Sequence, residues 1–204
     1  MKVAMLHRVK LVIAAAAGAA LLIGAPAGAQ LYSDGFKFLK AVEEKDTAEV
    51  NELLQKNGTV IDARDVTSGR TALHIAAENR EYTWLSFLLG KGANPNLQDK
   101  QGTTPLIIAA QLGWREGAEA LLGRGAKVDA TNNRGETPLI FAVQNRNLDM
   151  VRFLVTNGAD PRRQDSIAGY SALDYAKRDG RMPAIVEALE QKKKPERAIS
   201  GPVL

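Results

Sequence analysis

Apolar residues recur along this chain in two alternating short patterns. "TALHIAA", "TPLIIAA", "TPLIFAV" and "SALDYAK" begin at Thr71, Thr104, Thr137 and Ser171. Each places a leucine (Leu73, Leu106, Leu139, Leu173) three residues before an alanine (Ala76, Ala109, Ala142, Ala176). That spacing puts both on one helical face. A hydroxyl residue before each run predicts an N-cap, and Pro105 and Pro138 fit the first helical position. A second pattern follows: Leu85, Leu88 and Leu89, then Ala118, Leu121 and Leu122, then Val151, Leu154 and Val155. This i, i+3, i+4 spacing is the stripe of an amphipathic helix.

Glycines punctuate the pattern in the same register. Gly69, Gly102, Gly135 and Gly169 precede the first helices, where a tight turn calls for positive φ. Gly92, Gly125 and Gly158 follow the second helices, where a left-handed C-cap is expected. A weaker copy runs from Phe38 to Ala63, with Leu53-Leu54 matching Leu88-Leu89 and Gly58 matching Gly92. The period of about 33 residues makes each copy a helical hairpin that cannot bury its apolar face alone, so stacking has to supply the core.

A period of this length carrying T-x-L-H-x-A-A, a helical Leu-Leu pair and G-A-D/N resembles the ankyrin repeat. The resemblance implies an all-α solenoid of about five units including caps, over approximately 36–64, 65–98, 99–131, 132–164 and 165–191. The full "TALHIAA" occurs once, and Ile107, Ile140 and Asp174 replace its histidine later. The resemblance gives that histidine a structural role in tying adjacent repeats, so this network is expected to be weaker downstream. The extra residue in "DVTS" and "DSIA" predicts enlarged tips before Gly69 and Gly169. Trp84, Gly117 and Met150 share one repeat position, which suggests that Trp84 fills the space Gly117 leaves empty. Trp114 reads equally as a flank contact or a packing residue. Pro183 fits the first turn of a final helix.

The ends differ from the repeats. A basic stretch, "MKVAMLHRVK", precedes the short apolar run Leu11–Ile23 and the small-x-small site Ala27-Gly28-Ala29. This is the three-part pattern of a secretory signal peptide over 1–29, cut after Ala29 or alternatively after Ala27. An uncleaved anchor is the competing reading, although the run is shorter than a bilayer requires. The Ala-rich run points to a bacterial periplasm, with the repeat domain over 30–191. Residues 192–204, "KKKPERAISGPVL", form a basic tail, and anchoring to anionic envelope surfaces through it is the alternative function.

Composition narrows the chemistry. The sequence has no cysteine, which excludes disulfides, zinc-thiolate sites and a cysteine nucleophile. Its net charge of +4 over 204 residues is largely the leader's, which holds three of the 27 basic residues and no acid. The near-balanced remainder gives no field that argues for nucleic acid. His74 is the one histidine beyond the leader and has no Ser-His-Asp or metal-ligand pattern around it. No enzymatic activity, cofactor or metal is therefore expected, and the membrane is met only through the leader.

What the resemblance implies instead is a protein-binding face, made of hairpin tips and the exposed ends of the first helices. Its tip positions are Ser68, Arg70, Gln101, Thr103, Arg134, Glu136, Ile167 and Tyr170. Its helix positions are Glu78, Asn79, Gln111, Leu112, Gln144, Asn145 and Arg178. Leu112, Ile167 and Tyr170 are the candidate anchors, since exposed apolar and aromatic groups contribute more to association than scattered charges do. The expected assembly is a monomer bound to an unidentified protein partner.

Overall fold

In the first helices, residues 72 to 77 are buried without interruption, as are 105 to 110. Segments so short and so apolar must be enclosed by neighbours on several sides. The computed structural model describes residues 27–190 and provides those neighbours through five consecutive helix pairs. These are α1 (Ala27–Glu44) with α2 (Thr47–Lys56), α3 (Ala72–Glu78) with α4 (Tyr82–Gly90), α5 (Pro105–Gln111) with α6 (Arg115–Gly123), α7 (Pro138–Gln144) with α8 (Leu148–Thr156), and α9 (Ala172–Asp179) with α10 (Pro183–Glu190). Among the described residues there is no strand, only an isolated bridge between Gln164 and Ser171. Residues 1–26 of the expected leader and the basic tail 192–204 lie outside the described residues, and α1 starts at Ala27, within the span 1–29 expected for that leader.

The inner helices α3, α5, α7 and α9 pack in a row. Ala76, Ala109, Ala142 and Ala176 are all fully enclosed there, because a methyl group is the largest side chain that close backbones leave room for. Outside them, α4 packs on α6 and α8 on α10. Thr104, Thr137 and Ser171 accept the expected capping bonds from the amides of Ile107, Ile140 and Asp174. Where the last repeat replaces histidine with Asp174, the carboxylate accepts from the Ser171 amide (3.0 Å) and hydroxyl (2.6 Å), closing a reciprocal capping box.

Three expectations are corrected. Gly58 does not take the left-handed conformation of Gly92, Gly125 and Gly158. Asn57 is extended, and a 3₁₀ turn over Gly58–Asp62 carries the chain onward. Trp84 does not fill the space at Gly117. It is half-buried and meets Phe87 edge-on at 5.5 Å, whereas the Trp114 ring covers Gly117. Leu173 is only partly buried, because the row of inner helices ends at α9.

Two features were not anticipated. The turn inside each pair holds one residue at positive φ, in register: Lys45, Arg80, Gly113, Arg146 and Gly180. Only two of these are glycine, so composition hides the position. A side-chain ladder also joins the long loops. Asp62, Asn96 and Asp129 accept from the amides of Asn94, Lys127 and Asp160 in the following unit. Asn96 in addition donates through Nδ2 to the Gly125 carbonyl (3.0 Å). Asn96→Ala removes both inter-unit bonds and is expected to cost about 1–2 kcal/mol, read as a lower urea midpoint with an unchanged slope.

Candidate functional site

Each tip is built by an acidic or amide side chain folding back on its own turn. Asp65 Oδ1 accepts from the amides of Thr67 (3.1 Å) and Ser68 (2.6 Å). Asp99 Oδ1 accepts from Gln101 and Thr103, and Asn132 Oδ1 from Arg134 and Glu136. Asp165 Oδ1 accepts from Ile167, Ala168 and Gly169. The wider tip at Asp165 brings three amides to one oxygen, whereas each of the other three tips brings two. Adjacent tips are then tied by backbone bonds: Lys100 N to Ser68 O, Asn133 N to Gln101 O, and Ser166 N to Arg134 O, all at 2.8–2.9 Å.

Two of the turns hold their carboxyls low. Bonds from Ser68 keep Asp65 below the usual carboxylate range. Burial pushes Asp165 upward, but the Tyr175 hydroxyl and the three tip amides outweigh it and hold this carboxyl low as well. Tyr175 donates to Asp165 Oδ2 at 2.6 Å, and this bond, with burial, raises the phenol to about 12.

His74 is fully enclosed, and both its ring nitrogens are satisfied. Nδ1 accepts from the Thr71 amide (3.1 Å), and Nε2 lies 2.9 Å from the Thr103 carbonyl in the next unit. Accepting at Nδ1 assigns the proton to Nε2, so the neutral ring is the form that fits. Burial lowers its pKa, although the Thr103 carbonyl acts in the opposite direction. The unfolded ring titrates near 6.5. Below that pH the unfolded chain takes up a proton that the folded ring resists, so stability falls as pH drops. Between about pH 7 and about pH 5.5 the unfolding free energy should decline by at most about 1.4 kcal/mol per pH unit, read as a lower urea midpoint. His74→Gln should remove this component of the pH profile.

Of the residues expected on the binding face, ten are exposed: Glu78, Asn79, Gln101, Gln111, Leu112, Arg134, Gln144, Asn145, Ile167 and Arg178. Ser68, Arg70, Thr103 and Tyr170 are half-buried. Glu136 is a correction. It is only 6% exposed, accepting from Asn132 Nδ2 (2.8 Å) beneath Arg134, because the short tip turns this side chain inward.

The structure brings some of these residues together. Arg70 pairs with Glu78 (2.7 Å), and Arg178 stacks on the Tyr170 ring at 5.0 Å and bonds its hydroxyl. Both pairs join the same two repeat positions, tip to helix end. Asn145 spends its Nδ2 on the Gln111 carbonyl (2.8 Å), which makes it a strut between units. Leu112 and Ile167 stand exposed in separate units.

One feature of the face was not foreseen. A groove of about 640 Å³ lies between α1 and the first tip, with Leu39, Ala63 and Ile75 among its lining and Phe36 and Val66 exposed on it. The first copy lacks the Thr-Pro signature, so Phe36 had no repeat position to give it away. The recurring Asp or Asn three or four residues before each tip glycine was a legible signal for the turn residues. Among the described residues, no group of three or more His, Cys, Asp or Glu is placed to hold a metal ion.

Comparison with known proteins agrees with this architecture. A family model described as ankyrin repeats, in three copies, matches residues 11–99, 38–132, 82–165 and 116–196. A fowlpox virus protein named for ankyrin repeats is 46% identical over 55 residues, which is 27% of this chain and 16% of that protein. The 2-5A-dependent ribonuclease of Mus musculus is 38% identical over 85 residues, 41% of this chain and 11% of the relative. The SH3 and multiple ankyrin repeat domains protein 2 of Homo sapiens is 40% identical over 73 residues, 36% of this chain and 4% of the relative. The chain thus matches less than a fifth of the length of each of these relatives.

Proposed function

The chain belongs to the ankyrin repeat family, whose repeats are protein–protein interaction modules, and from that premise we propose a non-enzymatic module of the bacterial periplasm that holds a protein partner on the face of tips and inner-helix ends. One observation carries the reading. The tip backbones are locked by their own Asx turns and by bonds to the next tip, while Gln101, Gln111, Leu112, Gln144 and Ile167 are left exposed on that rigid frame. A preformed surface loses little conformational entropy on binding, so its exposed groups can convert contact into affinity. The leader-like residues 1–29 support export. Among the described residues, no helix is long and apolar enough to cross a membrane.

The test has two parts. Fractionation of bacteria expressing the full chain should find it in the periplasm, with a mass beginning at Gln30. Crosslinking there, followed by capture, should recover a partner that is lost with Leu112→Arg plus Tyr170→Arg. Recovery of the same partner with both proteins would remove this face as the site.

A further inference from the structure

The groove beside α1 is larger than the packing of this fold requires. Its volume lies within the range of sites that enclose several ligand groups, and its floor of Leu39, Ala63 and Ile75 is apolar. Phe36, on α1, is 61% exposed, and Val66, on the first tip, is 51% exposed. Two large apolar side chains from different elements are therefore held in water along one trough, which marks a contact surface more than a core defect.

The charges around the trough indicate what would enter it. Arg64 donates to the Gln98 carbonyl, and Lys100 Nζ to the Val66 carbonyl at 2.6 Å. Both cations are thus held by backbone oxygens. Arg70 contacts Glu43 (3.6 Å) and Glu78, yet its Nε is enclosed with no acceptor. Asp65, the acid of the tip, has its Oδ1 committed to the amides and hydroxyl of its own turn. The trough is apolar below, and its lining holds three cations, Lys40, Arg64 and Arg70, against two acids, Glu43 and Asp65, with Lys100 added at the Val66 rim.

We propose that this groove takes a bulky apolar side chain from an acidic segment of a partner protein, its neighbouring carboxylates meeting Lys40, Arg64 and Lys100. This rests on the reading of the tips and inner helices as a protein-binding face and assigns the partner's chemistry at one end of it. A basic segment would meet like charge at the edge. A lipid surface is flat and takes apolar groups that protrude, whereas these line a trough.

The test uses the full chain and a short, end-blocked fluorescent peptide with one central Phe flanked by Glu. Anisotropy should show saturable binding that weakens with added salt. Phe36→Glu and Val66→Glu alter exposed positions on separate elements, and each should weaken binding about tenfold or more with an unchanged circular dichroism spectrum. Peptides with Ala for Phe, or Lys for Glu, should not bind. Leu112→Arg plus Tyr170→Arg should leave peptide binding intact, so loss of partner capture in that variant reports on the wider face alone. The proposal is overturned by absence of saturable binding, by equal binding of the Lys peptide, or by binding that survives both groove variants. A dimer, or attachment to phosphatidylglycerol vesicles, that Phe36→Glu abolishes would equally overturn it by naming a different occupant.

Discussion

Gly102→Ala should destabilise the fold by about 3–4 kcal/mol, the largest single loss expected from one added methyl group. Two independent costs meet there. Gly102 sits at φ +78°, a conformation that costs an alanine about 1–2 kcal/mol. A Cβ at this position would also lie 2.6 Å from the Asn133 amide nitrogen and 2.9 Å from the Asn132 carbonyl carbon. Those are backbone atoms of the next tip, which cannot turn aside as a side chain can. They must move as a body, at a cost of about 2 kcal/mol more. The same shift strains the bond from Asn133 N to Gln101 O, which sets the spacing of the two tips. Gly169→Ala is the internal control. Its φ of +69° is similar, but a Cβ there meets nothing within 4 Å, so only the conformational cost of about 1–2 kcal/mol remains. Urea unfolding followed by circular dichroism separates the two. Equal losses would show that conformation alone governs these turns and that tip-to-tip approach is irrelevant.

Trp114→Ala should cost about 3–5 kcal/mol, in the range of other buried aromatic truncations. Trp114 is 6% exposed at the N-cap of α6, where the neighbouring outer helices have Glu81 and Asn147. Asn147 spends its side chain capping the Met150 amide. Trp114 has no acceptor to offer, and its ring instead lies over Gly117, with a virtual Cβ 2.5 Å from Cδ2 and closer still to Cε3 and Cζ3. The units therefore conserve volume by exchange. A polar residue at the N-cap, Glu81 or Asn147, goes with a large Trp84 or Met150, and a large Trp114 goes with no side chain at all.

This exchange predicts a change of sign. In the intact protein Gly117→Ala gains about 1 kcal/mol of helix propensity but forces the ring aside at about 1–3 kcal/mol, so the net effect is a loss. In the Trp114→Ala background the obstacle is gone, and the same substitution should stabilise by about 1 kcal/mol. A double-mutant cycle measures the coupling directly. If Gly117→Ala has the same effect in both backgrounds, the ring does not depend on that glycine. Trp84→Ala, at a half-buried site, should cost less than Trp114→Ala.

The binding face divides in the same way. Gln101, Gln111, Gln144 and Arg134 were legible as exposed from repeat position, the two glutamines at helix ends lying off the Leu/Ala stripe and the other two lying in tip turns. Glu136 was not, because a local bond to Asn132 turns it inward. Asn145 was placed on the binding face, yet its amide braces the Gln111 carbonyl. Such assignments depend on which polar partner a side chain meets, within its own tip for Glu136 and across the gap between units for Asn145, and periodicity carries no information about that.

What the sequence determined unaided is the architecture: inner and outer helices, their caps, the small residues between them and the turn glycines. These are fixed by interactions within one repeat, and repetition writes each of them several times over. The tertiary structure alone decided which ring covers Gly117, which glycines face backbone from the next unit, and where Phe36 and Val66 come together beside α1. The last two depend on distances between atoms about a repeat apart in sequence, which only stacking brings within reach, and the first on which ring turns over a glycine three residues along its own helix.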